Sequence, residues 1–271
     1  MAIAPPDLAH RNLRNRSFRG QTLQGADFSH CDLRGCDFRG AQLQQVTFEQ
    51  ARFGYAPEPI VKGLAVLLGS GAIAFHAFST MIFGSLGNTP EHPAYGYGVV
   101  LAAFLAVAGM VIAAMAGYRS AAKIALALVT GALLGFFYIG TALEQDPQAA
   151  IIGAVVCGGL GAIASRITHA VLWSNAVLAV GTVATYGFAF LAGVNALNHL
   201  SVDQYFRGIL WLLVSGVYLW LTLRGLILLF QDIEASAKTT FLGANMAGVH
   251  LPMGLKEAEM TLYGIQLRDA D

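Results

Sequence analysis

The sequence contains few charged residues. Only 12% of its 271 residues are charged, whereas 56% are hydrophobic, and soluble domains carry roughly twice that share of charge. This scarcity excludes an ordinary soluble globular protein. The sixteen basic and sixteen acidic residues cancel, so the net charge gives no reason to expect a nucleic-acid partner.

Cysteines and recognisable catalytic motifs are scarce as well. Cys31, Cys36 and Cys157 are odd in number and have neither the spacing of a disulfide framework nor that of a CxxC metal pair, so we expect reduced thiols. The sequence has no HExxH, P-loop or GxSxG motif. It therefore predicts no catalytic residue, no enzyme activity and no metal site.

Long apolar runs dominate the middle of the chain. Six apolar segments follow one another, each near the roughly twenty residues that a helix needs to cross a bilayer: 60–86, 95–118, 121–143, 148–165, 168–197 and 205–231. The sequence predicts an N-terminal domain over 1–56, a six-helix transmembrane domain over 57–231 and a C-terminal segment over 232–271.

Basic residues are distributed unevenly between the loops. Five of them fall on the same side of a six-crossing arrangement as the N-terminal arginines: Lys62, Arg119, Lys123, Arg166 and Lys238. Only Arg207 falls on the other side. Because Lys and Arg in short loops mark the cytoplasmic side, we expect an integral membrane protein with both termini in the cytoplasm.

A period of five residues runs through the N-terminal segment. Large apolar residues occupy every fifth position: Leu8, Leu13, Phe18, Leu23, Phe28, Leu33, Phe38, Leu43, Phe48 and Phe53. From Ala26 onward a small residue lies two positions before each large one: Ala26, Cys31, Cys36, Ala41, Val46 and Ala51. No α-helix has this period.

The strings Ala26-Asp27-Phe28, Cys31-Asp32-Leu33 and Cys36-Asp37-Phe38 resemble the unit of the pentapeptide-repeat family, and ten units follow one another. The resemblance implies a right-handed, four-sided β-helix of twenty residues per coil. Its large and small residues would point inward, so Phe18 would stack on Phe38 and Phe28 on Phe48. Cys31 and Cys36 take the small interior position, which favours packing over redox chemistry.

The first coil departs from this pattern. Arg11, Arg16 and Gln21 take its small interior positions, which cannot bury an unpaired charge. We therefore expect the first coil to be loose or capped.

The five-residue pattern returns after the last apolar segment, at Phe241, Met246 and Leu251. Two and a half N-terminal coils bury their faces poorly alone, because a solenoid needs stacked neighbours. We therefore predict a multi-domain membrane protein in which the N- and C-terminal segments build one quadrilateral β-helix and the six-helix transmembrane bundle is inserted between them.

Two sets of residues are candidates for interaction. The first is a pair of stacked arginines on each of two outward sides of the coil: Arg14, Arg34, Arg19 and Arg39. One interpretation is a solvated face neutralised by Asp32 and Asp37. The other is a docking surface for an acidic cytoplasmic protein or for anionic lipid headgroups.

The second set lies at four-residue intervals in the fourth apolar segment: Gly153, Cys157, Gly161 and Ser165. Small residues at this spacing let helix backbones approach closely in lipid. The stripe therefore predicts close helix packing, and it is also a candidate contact with other membrane proteins.

Ionisable residues inside the apolar segments are few. His76 is a weak candidate ligand for chlorophyll or another pigment, although a hydrogen-bonded structural histidine is the better interpretation, and no other cofactor is predicted. Arg224 is expected to reach the membrane surface or to pair with Asp232 or Glu234.

These features favour a non-enzymatic scaffold or accessory subunit that binds other membrane proteins within a larger membrane complex. Membrane-bound pentapeptide-repeat proteins are abundant in cyanobacteria, so the resemblance implies a thylakoid or plasma membrane and a photosynthetic complex as partner. The alternative is a small transporter or channel with a cytoplasmic regulatory β-helix. The short supply of buried polar residues disfavours it.

Overall fold

The chain divides into two compact units. A computed structural model describes residues 7–144, 146–167 and 171–251. Met1–Lys62 and Ile233–Asp271 form one unit, which we call the repeat unit, and Gly63–Asp232 form the other, which we call the helical unit. The three predicted domains, with boundaries at residues 56 and 231, stay a prediction.

The repeat unit repeats one backbone conformation every five residues. In each five-residue unit one residue forms a bridge, and a two-residue turn follows. The second turn residue has a positive φ angle at nine consecutive units: His10, Asn15, Gly20, Gly25, His30, Gly35, Gly40, Gln45 and Gln50. Because this left-handed conformation redirects the chain, the backbone changes direction at every unit.

Backbone hydrogen bonds join residues one coil apart. Parallel bridges link residues at a spacing of twenty, from Asp7 with Asp27 to Asp32 with Arg52. The amide of Phe18, for example, donates to the carbonyl of Asp37 at 2.8 Å. The repeat period therefore sets a coil of twenty residues.

The predicted β-helix is wrong. Within the described ranges the only regular elements are α-helices, and the repeat unit contains no strand and no sheet. Each five-residue unit gives two residues to a turn and one to a bridge, so consecutive residues never pair and the bridges stay isolated. The repeat unit is a coil of stacked turns.

Stacked phenylalanine rings fill the inside of this coil. The ring centroids of Phe18 and Phe38 are 5.0 Å apart and those of Phe28 and Phe48 are 5.4 Å apart, which confirms both predicted stacks. Phe241 stacks on Phe38 at 4.8 Å. Each such pair adds about 0.5–1.5 kcal/mol beyond the burial of its area.

The charged residues assigned to the small position of the first coil stay outside the core. Arg11, Arg16 and Gln21 are exposed, which avoids the cost of burying an unpaired guanidinium. The large residues of the same coil are still buried, since Leu13 and Phe18 are only 2% and 7% exposed.

The coil takes up residues from beyond the helices in unbroken register. Thr240, Asn245 and His250 form parallel bridges with Asp37, Gln42 and Thr47. In an uninterrupted chain those partners would face positions 57, 62 and 67, one coil further on. Residue 240 thus takes the place of residue 57, and the five-residue phase is kept.

Six α-helices occur among the described residues, and each is long and apolar enough to span a membrane. They are α1 Pro57–Ser85, α2 Tyr95–Ala114, α3 Arg119–Ala142, α4 Pro147–Ile167, α5 Val171–Ser201 and α6 Tyr205–Ala237. The prediction of six apolar helices is confirmed, and it fits a multi-pass integral membrane protein. The largest difference is at the end of α6, which continues to Ala237 instead of ending at residue 231.

α5 is the central helix of the helical unit. Two thirds (67%) of its most apolar stretch is buried, against 22% for α4. α4 keeps large apolar side chains on its outside, such as Val155 and Leu160. Such exposed apolar faces are what a bilayer solvates.

Candidate interaction surfaces

The arginine face of the repeat unit is largely neutralised by its own carboxylates. Arg34 donates two hydrogen bonds to Asp32, of 2.9 and 2.7 Å, and Arg14 reaches the same carboxylate from the neighbouring coil at 2.6 Å. Arg39 holds Asp37 in the same two-bonded way, at 2.8 and 2.6 Å. This geometry favours the solvated, neutralised face over a free ladder of positive charge.

Arg19 differs from the other three arginines. It is exposed and forms no ion pair within the described part of the chain. Burial raises the pKa of Asp37, but hydrogen bonds from Arg39 and the positive charges of Arg39 and Arg19 outweigh it, so the pKa lies below its ordinary value of 3.8. Arg19 is therefore the member of the face that keeps a charge available to a partner.

The two ends of the coil meet at a buried junction around Thr239. Its hydroxyl donates to the carbonyl of Leu33 at 2.8 Å and accepts from the amide of Gly54 at 3.1 Å. Beside it, the amide of Ala56 donates to the carbonyl of Ala237 at 2.8 Å. The residues that flank the helices are thus held side by side.

The repeat pattern already placed Thr239 at its return after the helices, but it did not predict the hydrogen bonds of this polar side chain. It lies two positions before Phe241, where the repeat has a small interior residue, and it is fully buried. Gly35 packs against the same junction with φ +73, and an added Cβ would lie 3.0 Å from Ala56 Cβ and 3.2 Å from the carbonyl oxygen of Ala237. The five-residue phase of Thr239 thus predicted its interior position, and its bonding partners come from distant parts of the chain.

The glycines of the α4 stripe pack this helix against α3. A Cβ atom at Gly161 would lie 2.8 Å from the carbonyl oxygen of Ala127, and one at Gly153 would lie 2.6 Å from that of Gly135. Such distances exclude any side chain, so the predicted close helix packing is confirmed. That the stripe also contacts other membrane proteins stays a prediction, since Gly153 and Gly161 are already used within the chain.

The other two members of the stripe are half-buried. Cys157 lies along a groove of the helical unit. Ser165 accepts a hydrogen bond of 2.8 Å from the indole nitrogen of Trp173. The Ser165 hydroxyl is thus already engaged within the chain.

His76 lies on an exposed face of α1. Its ring meets the edge of Phe137 at 5.8 Å. Among the described residues the ring forms no hydrogen bond, and only the backbone carbonyl of His76 accepts, from Ser79 and Thr80. The hydrogen-bonded structural histidine is therefore wrong. Pigment binding at His76 stays an untested hypothesis.

A cluster of charges that sequence analysis missed is centred on Asp232 of α6. Its carboxylate pairs with Arg119 and lies 3.1 Å from the Lys123 ammonium. The predicted pairing of Arg224 with Asp232 or Glu234 is wrong, because Arg224 lies over the ring of Trp220 at 5.7 Å. The pairing of Asp232 with Arg119 and Lys123 was not predicted, because α6 was expected to end before Asp232.

Both N-terminal cysteines pack inside the coil. The Cys36 thiol donates to the carbonyl of Leu13 at 3.0 Å, and burial raises its pKa to about 12. Burial also raises the pKa of Cys31. A thiol with a raised pKa is a poor nucleophile and a poor metal ligand at neutral pH, which fits packing.

Comparison with known proteins identifies the repeat segment alone. Residues 7–54 match the family of pentapeptide repeats, in eight copies. No curated protein and no solved structure matches the chain. The match covers less than a fifth of the 271 residues and lies wholly outside the helical unit.

Proposed function

We propose that the chain is a non-enzymatic integral-membrane scaffold or accessory subunit, whose repeat unit binds other proteins. The observation that carries this proposal is the junction at Thr239, which ties the segments before and after the helices into one coil. A coil fixed at both connections has little conformational freedom to lose on binding, so its surface is preorganised for a partner.

The junction also supports a topology with both termini in the cytoplasm. Ala56 and Ala237 are hydrogen-bonded to each other, so both flanks of the helical segment belong on one membrane face. An even number of crossings meets this requirement. The basic residues predicted for that face make it the cytoplasmic one.

The pentapeptide-repeat match supports a narrower proposal about the partner. Because membrane-bound pentapeptide-repeat proteins are abundant in cyanobacteria, we propose a thylakoid or plasma membrane and a photosynthetic complex. We propose an acidic cytoplasmic protein or subunit as the contact of the repeat unit, because the free charge of Arg19 is positive. A lipid bilayer surrounds the helices, and no nucleic acid is proposed as a partner.

Co-purification tests the scaffold proposal. The tagged full chain is extracted in mild detergent, separated by size, and its bound proteins are identified. We expect a discrete complex that Arg19→Glu weakens in a salt-dependent way, whereas Arg52→Glu, another exposed arginine of the coil, leaves it intact. A chain that migrates alone at low salt contradicts the proposal.

A small transporter or channel remains the second candidate because of Asn175. This residue of α5 is 1% exposed, and neither atom of its amide has a hydrogen-bond partner among the described residues. A buried polar group in a membrane helix often marks a solute or ion path. Solute flux in liposomes that Asn175→Leu abolishes would favour this function over the scaffold.

A further inference from the structure

A long groove runs between α1, α3, α4 and α5 of the helical unit. Its volume is about 540 Å³, and its lining is almost wholly apolar and rich in small residues such as Gly131, Cys157 and Ala164. Along α3 it extends from Ala127 to Ile139, about 18 Å at roughly 1.5 Å per residue.

The dimensions of the groove match a single hydrocarbon chain. A volume of about 540 Å³ over about 18 Å leaves a mean cross-section of about 30 Å², which admits one extended chain. In a bilayer such a groove is filled by hydrocarbon, because an empty one would lose the dispersion contacts of its whole lining.

One end of this groove carries an excess of positive charge. α3 and α4 run antiparallel, with Gly161 beside Ala127, so Arg166 lies level with the turn of Lys123, just beyond the groove. Arg119 and Lys123 share the single carboxylate of Asp232. Arg166 is exposed and has no acidic partner within the described ranges, so its positive charge is not balanced there.

Trp173 marks the same end of the groove. Its ring lines the groove, and its indole nitrogen donates to Ser165, the residue before Arg166, at 2.8 Å. Tryptophan is typical of the level at which lipid headgroups meet the hydrocarbon. The apolar groove therefore ends at headgroup depth, beside the cations.

We propose that this groove binds one acyl chain of an anionic phospholipid, with the lipid phosphate held against Arg166 and Lys123. The apolar walls select a chain, and the unbalanced cations select the negative headgroup. Basic pockets between membrane helices on the cytoplasmic side bind anionic headgroups for the same electrostatic reason. The proposal does not depend on the scaffold function.

Native mass spectrometry of the full chain in detergent tests this site. The probes are dioleoyl phosphatidylglycerol, dioleoyl phosphatidylcholine and glycerol 3-phosphate, which has the phosphate without the chains. We expect a one-to-one adduct with phosphatidylglycerol, about fivefold weaker retention of phosphatidylcholine for each unpaired cation involved, and no adduct with glycerol 3-phosphate.

Two pairs of variants separate the groove from its charged end. Ala164→Phe fills the groove and should abolish retention of both lipids, whereas Val155→Phe, on the exposed face of the same helix at 71% exposure, should not. Arg166→Gln should reduce phosphatidylglycerol to the level of phosphatidylcholine. Arg207→Gln, an exposed cation at the other end of the helices, should leave the preference unchanged.

Three outcomes would overturn the proposal. They are equal retention of the two lipids by the unaltered chain, equal behaviour of Ala164→Phe and Val155→Phe, and a co-purifying apolar pigment that Ala164→Phe displaces. Circular dichroism checks that both phenylalanine variants fold. If Ala164→Phe does not, Ala176→Leu fills the same groove from α5 and gives the same expected result.

Discussion

In the repeat unit the rings of Phe28, Phe38 and Phe48 are at most 1% exposed, whereas in the helical unit Phe206 is 83% and Val155 71% exposed. The repeat unit thus buries its large side chains against itself, while the helical unit leaves many of them to the bilayer. The difference shows what each region needs for stability: the coil needs its own neighbouring turns, and the helices need hydrocarbon around them.

Removing a ring from the coil should have the largest effect. Phe38 stacks on both Phe18 and Phe241, so Phe38→Ala should lower the stability of the repeat unit by about 3–5 kcal/mol. The matched change Val155→Ala should cost less than about 0.5 kcal/mol. Limited proteolysis against denaturant, with cleavage followed separately in the repeat unit and in the helical unit, measures both, and equal losses would refute the comparison.

Substitution at the junction should cause the next largest loss of stability. Gly20 and Gly35 both have positive φ, but an added Cβ meets nothing within 4 Å at Gly20 and three neighbours at Gly35. Gly20→Ala should therefore cost only the backbone term of about 1–2 kcal/mol, and Gly35→Ala about 1–3 kcal/mol more. Thermal unfolding of the two variants gives the difference directly, and no difference would mean that the junction is not tightly packed.

The buried hydroxyl at the junction should contribute less. Thr239→Val keeps the shape but removes the bonds to Leu33 and Gly54. The carbonyl of Leu33 still accepts from the amide of Cys36, so the change leaves one buried group unpaired, the amide of Gly54, at about 1–3 kcal/mol. Thr222→Val is the control in the helical unit, since that hydroxyl bonds only the carbonyl of Tyr218 in its own helix. A loss at Thr222 as large as at Thr239 would contradict this account of the junction.

Lowering the pH should have the smallest effect on the stability of the repeat unit. The pKa of Asp37 is lowered below its ordinary value of 3.8, because hydrogen bonds from Arg39 outweigh the effect of burial. Its folded-state pKa is therefore below its unfolded one, so its stabilisation is complete above about pH 4 and is lost as pH falls through the lower, folded value. Unfolding measured from pH 5 to pH 2.5 should show this loss, and Asp37→Asn should remove it.

The five-residue period predicted the inside of the coil well but not its secondary structure. Large residues at a fixed phase define which side chains stack, and Phe18 and Phe28 lie where that phase places them. The bridges stay isolated because a turn with a left-handed residue follows each bridge residue. Four of these left-handed residues are glycines at one five-residue phase, Gly20, Gly25, Gly35 and Gly40. This spacing of glycines in the sequence indicates a turn in every unit.

Length and hydropathy predicted the six helices, since a membrane helix is recognised from its own segment. The charged partners were harder to predict because they come from distant parts of the chain. α6 continues past its apolar part through Asp232. The charge of Asp232 is neutralised there by Arg119 and Lys123 of α3. Arg34 with Asp32 is a local pair, but the second arginine on that carboxylate, Arg14, arrives from the neighbouring coil.

The central claim is that residues from both sides of the helices share one coil in one register. Gln42 and Asn245 form a parallel bridge, with the amide of Asn245 donating to Ala41 at 2.9 Å. Bridged backbones lie about 4.8 Å apart, within reach of a disulfide. Gln42→Cys combined with Asn245→Cys therefore places two thiols at bonding distance on the outside of the coil.

The most direct measurement is mild oxidation of this double variant in native membranes, with Cys157→Ala as background. The account predicts a near-complete cross-link between positions 42 and 245. It predicts none between Gln42→Cys and His250→Cys, one unit out of register. Equal cross-linking of the two pairs, or none in either, would contradict the shared coil.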